Sequence, residues 1–340
     1  MGGDAGGQDR VAHGTQAAHP ARGTQNASLY PMATPRTRHP TPDRGHLATE
    51  QTHPDASDLD RLSTGDALAL FSAADREAAD AVEAAREDLE RAVDCVAEKL
   101  GAGGRFVQVG AGTSGRLAVL DASECPPTFC SDPQTLQGVI AGGTEALTHA
   151  VEGAEDSREE GAACVDERQL GPEDVLLGIS AGGTTPFVHA ALERARERGA
   201  ATLFMTSVPA DQVPDPAEVT IRLLTGPELV AGSTRLKAGT ATKMALNALS
   251  TLVMVRLGKV YGNLMVDVDT SANAKLVERG TRILMELLGC PREEAGQALQ
   301  AAHGRVKVAA VMGRFGVARE EALRRLAACD GSLRRVLEER

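Results

Sequence analysis

Three glycines with two hydroxyl side chains between them are the first group of residues with clear chemical potential. Gly110, Gly112 and Gly115 form a G-x-G-x-x-G pattern in VQVGAGTSGRLAVLDASECPP, and Thr113 and Ser114 lie inside it. The pattern follows a strand-like run and opens a helix-like one. Free backbone N–H groups and the helix dipole favour an anion at such a turn. Alone, the motif indicates equally a phosphate-binding loop or a tight strand–helix turn.

A dinucleotide site would also need an acidic residue at the end of the second strand, where it binds the ribose hydroxyls. That strand ends in Ala141, Gly142 and Gly143, and none of these is acidic. Thr113 and Ser114 add side-chain donors to the backbone groups of the turn. We therefore expect a compact sugar phosphate rather than NAD.

A second hydroxyl-rich turn, GISAGGTTPF, follows another strand-like run. Ser180, Thr184 and Thr185 are its candidate binding residues, although Ser and Thr at a helix start are more often caps. Pro186 suits an early helical position. Because ligands of parallel sheets bind at the carboxyl ends of the strands, we expect both turns at one edge of the sheet.

Two glutamates one strand–helix unit apart are candidates for an acid and a base. Glu124 lies among apolar residues at the end of the first helix after the glycine turn, which Pro126 and Pro127 are expected to cut short. Glu155 follows the second strand and its helix. The pair could flank one sugar, whereas the acidic residues around Glu155 are typical of a solvated surface.

Strand-like runs alternate with helix-like segments, which predicts an α/β fold with a doubly wound, parallel, five-stranded sheet flanked by helices. Residues 60–104 are predicted to form two helices, with Ser63 or Thr64 as the candidate N-cap and the glycines of 101–104 as the stop. Residues 240–262 are predicted to form a long helix that is buried or at a subunit interface. The predicted strands span 105–110, 136–142, 174–180, 201–207 and 218–224.

Three regions are predicted from composition and periodicity. Residues 1–57 are rich in Gly, Pro, His, Thr and Arg and are expected to be a disordered extension, unless translation starts at Met32. Residues 58–288 are expected to form the sugar-phosphate-binding domain. Residues 289–340 are expected to form a small C-terminal subdomain of three short helices.

Composition excludes several classes of partner. The net charge is -11 and no Lys/Arg-rich run is present, which argues against nucleic acid. No apolar run approaches the roughly 18 residues of a membrane helix, and the N-terminus lacks a secretory signal, so we expect a cytoplasmic protein with no membrane partner. The six cysteines are scattered without a C-x-x-C pattern, which indicates reduced thiols and no metal site.

Several long strings resemble the N-acetylmuramic acid 6-phosphate etherases, members of the sugar isomerase (SIS) fold. The strings are GAGTSGRLAVLDASECPPTF, IAGG, AVEGAEDS, PELVAGSTRLKAGTATKMALNALST and KVYGNLMVDV, and the similarity runs from about Thr49 to the C-terminus. The resemblance implies cleavage of the D-lactyl ether to N-acetylglucosamine 6-phosphate and D-lactate. It also implies a cytoplasmic homodimer that recycles cell-wall sugar and uses no metal or nucleotide cofactor.

The implied chemistry needs one base and one acid. Removal of the C2 proton from the ring-opened sugar lets the lactate oxygen leave C3, and water then adds at C3. Carried over to this chain, Glu124 donates the proton to lactate and Glu155 removes the C2 proton, although the division of roles within the pair stays open. We expect the glutamate that acts as the acid to be buried between apolar walls, because burial favours the protonated form of a carboxyl group.

The resemblance also implies a set of substrate-binding residues. Thr113 and Ser114 are expected to bind the 6-phosphate or sugar oxygens, together with Ser180, the backbone at Gly182 and Gly183, and Thr184.

In GSTRLKAGTA, Lys237 has two interpretations: it meets an anion of the substrate, or it packs at the helix entry across a dimer interface. Glu228 matches the family and is a candidate site residue.

One loop departs from the family, whose members usually read ASGRTPY where this chain has AGGTTPF, so that Gly182 replaces Ser and Thr184 replaces Arg. We expect weaker phosphate binding by this loop.

Two alternatives share the fold. Glucokinase regulatory proteins resemble the chain in GTSGR and EDS and bind sugar phosphates without catalysis, but lack the glutamate of ASECPP, present here as Glu124. Sugar-phosphate isomerases share proton removal at C2 but not the DASECPP string. The etherase interpretation is therefore favoured.

Overall fold

The computed structural model of the chain describes residues 1–2, 43–270 and 274–338. The chain divides into two units, Met1–Pro42 and Asp43–Arg340. Most of the predicted extension, residues 3–42, lies outside the described residues. Residues 43–57 differ from the predicted disordered extension, because they form 3-10 turns at Ala48–Glu50 and Pro54–Ala56 and bury Leu47.

The predicted sheet is confirmed, with five strands that are all parallel, in the order β2-β1-β3-β4-β5. The chain steps from β2 across β1 to β3, so the strand order reverses between β1 and β3. Ligands of open α/β sheets bind at such a switch point. The strands are β1 (Phe106–Gly110), β2 (Leu136–Ile140), β3 (Val175–Ile179), β4 (Ala201–Thr206) and β5 (Val219–Arg222).

Helices cover both faces of the sheet, and a separate group follows it. One apolar cluster packs α2, α3 and α6 on one face, and a second packs α4 and α5 on the other. The helices are α1 (Thr64–Ala84), α2 (Arg86–Gly101), α3 (Gly112–Phe129), α4 (Arg158–Glu167), α5 (Pro186–Glu197), α6 (Lys237–Arg256), α7 (Ala274–Leu288), α8 (Arg292–Ala301), α9 (Val306–Phe315), α10 (Arg319–Ala328) and α11 (Leu333–Glu338). Ser63 caps α1 by accepting from the Asp66 N–H.

The first helix after the glycine turn is longer than predicted. α3 continues through Pro126 and Pro127 to Phe129. The φ of proline is compatible with a helix. Pro126 and Pro127 lack the N–H groups that would donate within the helix, but both lie in its last turn, so only that turn loses hydrogen bonds. Cys130 then ends the helix in a left-handed conformation, with its N–H donating to the Pro126 carbonyl at 2.9 Å.

The C-terminal region contains four helices after residue 289 among the described residues, α8 to α11, and not the predicted three. Asp330 and Gly331 both have positive φ and separate α10 from α11. The apolar cluster of this region also includes Ile283 and Leu284 of α7 and Val266 and Val268 before it. The domain boundary at residue 288 stays a prediction, because Asp43–Arg340 forms one compact unit.

Candidate active site

A cleft of about 250 Å³ lies at the carboxyl ends of β1 and β3. It is lined by the turn after β1, the turn after β3, the segment after β2, and two stretches that are remote in sequence. The lining residues are Arg44, Leu47, Glu50, Ala111, Gly112, Thr113, Ser114, Glu155, Ser180, Ala181, Gly182, Thr184, Thr185, Gly232 and Thr234. The cleft therefore brings together seven of the candidate residues named from the sequence, Thr113, Ser114, Glu155, Ser180, Gly182, Thr184 and Thr185.

The glycines of the first turn let α3 approach the sheet closely. A Cβ on Gly115 would lie 2.6 Å from the Gly110 carbonyl oxygen and 2.6 Å from Ile140 Cγ1. Gly112 has a φ of +52°, which L-residues rarely adopt. The tight-turn interpretation is thus correct for these glycines. It is compatible with anion binding, because the turn also leaves Thr113 and Ser114 at the start of α3 in the cleft.

The second turn presents the start of α5 to the same cleft. Thr185 is the N-cap residue of α5, and its Oγ1 lies 2.8 Å from Oγ of the buried Ser180. Two helix N-termini and a group of hydroxyls therefore converge on one small volume, an arrangement that suits a phosphate group.

Gly183 does not line the cleft. It is buried with a φ of +74°, and a Cβ there would lie 2.9 Å from Val213 Cγ2. Its carbonyl oxygen lies 2.6 Å from His189 Nε2. Gly183 therefore packs on the side of the turn away from the cleft, whereas Gly182 lines the cleft.

Glu155 is held at the cleft by the segment that follows β2. It belongs to the 3-10 turn Ala154–Asp156. Gly142 allows this segment to approach, because a Cβ at that position would lie 3.0 Å from Val151 Cβ and 3.2 Å from Ala154 Cβ. Arg116 of α3 fixes the same loop by donating to the Leu147 and His149 carbonyl oxygens.

Glu124 does not line this cleft. It lies on α3 ten residues after Ser114, which corresponds to roughly 15 Å along the helix axis. Both Glu124 and Glu155 are exposed, so the expected burial between apolar walls is absent in the described chain. A single chain therefore does not bring the two predicted catalytic carboxylates together in the cleft.

Lys237 and Glu228 also lie outside the cleft lining. The Lys237 side chain is 2 % exposed, and its ammonium pairs with the Glu77 carboxylate at 2.6 Å. The buried Glu228 carboxylate accepts the backbone N–H groups of Lys237 and Ala238 at 2.8 and 3.0 Å, and so caps α6. Burial raises the pKa of Glu228, and these backbone donors act in the opposite direction. These contacts favour the interpretation that Lys237 packs at the start of α6. Its partner Glu77 belongs to the same chain, however, and not to a second copy.

Two residues were missed from the sequence, one buried on α3 and one in the cleft. Asp121 of α3 is buried and accepts from Gln108 Nε2 and Ser250 Oγ, both at 2.7 Å. Burial raises the pKa of this carboxyl. The second, Arg44, lines the cleft. Asp121 could have been found from the sequence, because it is a charged residue within an apolar helical stretch. Arg44 could not, because it lies in a stretch without periodicity.

Larger cavities, of about 600 and 700 Å³, lie against the C-terminal helices. Among the described residues, these larger cavities are not lined by the hydroxyls of the two turns, so the smaller cleft remains the candidate site.

All six cysteines lie in the described ranges and are free thiols. No helix in the described part of the chain is long and apolar enough to cross a membrane.

Comparison with protein-family models gives two overlapping matches. Residues 88–196 match the glucokinase regulatory protein N-terminal SIS domain, and residues 149–252 match the SIS domain. The SIS fold expected from the sequence is thereby confirmed. Among solved structures, a putative sugar-phosphate isomerase from Listeria monocytogenes is 18% identical, with a TM-score of 0.42 over 57% of this chain and 92% of that chain. That likeness is too low to bear on function.

Curated proteins give a closer match. An N-acetylmuramic acid 6-phosphate etherase from Crocosphaera subtropica is 55% identical over 270 residues, which is 79% of this chain and 88% of that protein. One from Synechococcus sp. (strain CC9902) is 53% identical over 302 residues, or 89% of this chain and 95% of that protein. With identity of this level over most of both lengths, this chain belongs to the N-acetylmuramic acid 6-phosphate etherase family.

Proposed function

We propose that this protein cleaves the D-lactyl ether of N-acetylmuramic acid 6-phosphate, giving N-acetylglucosamine 6-phosphate and D-lactate, in the recycling of cell-wall amino sugar in the cytoplasm. The observation that carries the proposal is the cleft itself, where hydroxyls, two helix N-termini and Glu155 meet at the switch point of the sheet. Family membership supports the substrate. The phosphate binds at Thr113, Ser114, Ser180 and Thr184, with backbone groups at Gly182.

The reaction divides into elimination and addition. Glu155, at the cleft, removes the proton at C2, which is acidic once the ring has opened to the aldehyde. The C3–O bond then breaks, and the lactate oxygen takes a proton from the acid, Glu124. Water adds at C3 by the reverse sequence. Such acid–base catalysis contributes about 10²–10⁴-fold for each group.

We infer that the protein is a homodimer in which the two glutamates of one site come from different chains. Glu124 of one chain lies roughly 15 Å along α3 from its own cleft and would serve the cleft of a second copy. Exposed apolar side chains support a contact surface on α1, α3 and α6, which pack together on one side of the sheet. They are Leu68, Leu120, Met244, Leu252 and Val255.

The direct test is release of D-lactate by the purified protein from N-acetylmuramic acid 6-phosphate, with unphosphorylated N-acetylmuramic acid as the control. We expect release from the phosphorylated sugar and little from the control, because the cleft is built for an anion. Equal turnover of both sugars would contradict the assignment of the cleft to phosphate. Absence of turnover with tight binding of N-acetylglucosamine 6-phosphate would favour the non-catalytic sugar-phosphate sensor.

A further inference from the structure

A cation reaches the cleft from a part of the chain whose sequence shows no periodicity. Arg44 is half-buried, lines the cleft with Ser114 and Thr184, and makes no ion pair with a described residue. It is the one Lys or Arg among the described residues that line the cleft. Two carboxylates, Glu50 and Glu155, line it as well. The charged side chains among these described lining residues therefore sum to −1 with Arg44 and to −2 without it, and Arg44 supplies the cationic partner that a phosphate would meet there.

The backbone that carries Arg44 is fixed to the rest of the fold. Leu47 is 1 % exposed and belongs to the apolar cluster that includes β1 and α5. The Ala48 N–H donates to Gln212 Oε1 at 2.9 Å, and the Gly232 N–H donates to the Thr49 carbonyl at 3.1 Å. The Arg44 carbonyl itself accepts from the Leu47 N–H at 2.9 Å. The guanidinium is thus presented by an anchored segment.

We propose that Arg44 binds the phosphate group of the substrate and so sets the preference of the cleft for phosphorylated sugars. The proposal rests on the proposed function, since it assigns the anion in that cleft. A guanidinium offers paired donors that match phosphate oxygens, and hydroxyls and helix N-termini complete the set. Thr184 lines the same cleft and carries no charge, so Arg44 is the side chain that supplies positive charge among the described lining residues.

The test measures the binding of sugars that lack the lactyl ether, so that no turnover takes place. Dissociation constants of N-acetylglucosamine 6-phosphate and of N-acetylglucosamine are measured for the full chain and for Arg44→Gln, at low and high salt. We expect the variant to bind the phosphorylated sugar ten- to a hundredfold more weakly and the unphosphorylated sugar equally well. We also expect the affinity of the variant for the phosphorylated sugar to depend less on salt.

Matched variants separate charge from folding. Arg61→Gln removes an exposed arginine that pairs with Asp58 and should leave both affinities unchanged. Arg44→Lys keeps the charge and should lose less affinity than Arg44→Gln. In the Arg44→Gln background, Thr184→Arg should recover much of the lost affinity for the phosphorylated sugar.

Two results would overturn the proposal. One is unchanged affinity of Arg44→Gln for N-acetylglucosamine 6-phosphate. The other is an equal loss for the phosphorylated and unphosphorylated sugars, which would indicate a structural role. If the wild-type protein binds sugar phosphate but releases no lactate, the proposed activity fails and this binding result still stands.

Discussion

Glu155 is the predicted catalytic carboxylate that lies in the hydroxyl-lined cleft. Glu155→Gln keeps the size of the side chain and removes its capacity to accept the C2 proton. We expect lactate release to fall by about 10²–10⁴-fold, since a general base contributes on this scale. Binding of N-acetylglucosamine 6-phosphate should change little. Lactate assays and calorimetric binding measurements check the two expectations.

Glu152 provides the control, because it is also exposed and precedes the same 3-10 turn without lining the cleft. Glu152→Gln should retain near wild-type turnover. If Glu155→Gln released lactate as fast as Glu152→Gln, the role of Glu155 as the base would be wrong.

Single residues differ in how far their sequence context predicts their position. Thr113, Ser114 and Ser180 were placed at one edge correctly, because the carboxyl ends of parallel strands coincide. Gly183 lies in the same turn but does not line the cleft, and Lys237 at the start of α6 does not line it either, because the direction in which a residue faces depends on packing. Their roles in binding stay untested.

At the scale of elements, α3 is joined to β1 and α6 through one buried carboxyl. Asp121 accepts from Gln108 on β1 and Ser250 on α6. Because burial raises the pKa of Asp121 in the folded state, that state binds the proton more tightly than the unfolded chain. The resulting contribution to stability is fully present below the ordinary pKa of aspartate and is lost as pH rises through the folded pKa.

Asp121→Asn removes this titration and keeps the shape of the side chain. We expect the free energy of unfolding of the variant, relative to wild type, to increase as pH rises above the ordinary pKa of aspartate. Denaturant unfolding at a series of pH values measures it. Asp75→Asn, at an exposed position of α1, should show no such trend. A constant difference between Asp121→Asn and wild type at every pH would contradict the explanation.

Elements were predicted well where periodicity is strong. All five strands were found because alternating strand and helix patterns need only local sequence. The end of α3 was not, because proline lowers helix propensity without excluding a last turn that Cys130 can close. The turn at Ala48–Glu50 was also missed. Its order comes from the burial of Leu47 against remote elements, which composition does not reveal.

At the scale of the whole molecule, the exposed apolar side chains on α1, α3 and α6 predict a dimer contact. Leu252 of α6 is 49% exposed, and a charge there should oppose association. We expect Leu252→Asp to shift the protein toward monomer and to reduce lactate release strongly, because each cleft then lacks Glu124 of a second copy. Sedimentation velocity and lactate assays on the same samples check this.

Val277→Asp is a matched control, since Val277 is 45% exposed but lies on α7. That variant should remain a dimer with normal turnover. A fully active Leu252→Asp monomer would refute the shared site.

Mixed dimers test the exchange of Glu124 directly. Glu124→Gln and Glu155→Gln chains are each expected to be inactive alone. In a mixed dimer, one of the two clefts would have both glutamates intact. Random mixing should therefore restore about a quarter of wild-type activity. If both glutamates acted within one chain, no activity would return.

The etherase reaction itself is tested most directly by turnover of N-acetylmuramic acid 6-phosphate in ¹⁸O-water, with mass spectrometry of both products. Fragmentation must locate the label, because C1 of a reducing sugar also exchanges oxygen with water. We predict D-lactate without label and N-acetylglucosamine 6-phosphate with ¹⁸O on C3, as elimination followed by addition of water requires. Label in the lactate, or no lactate at all, would contradict the proposed function.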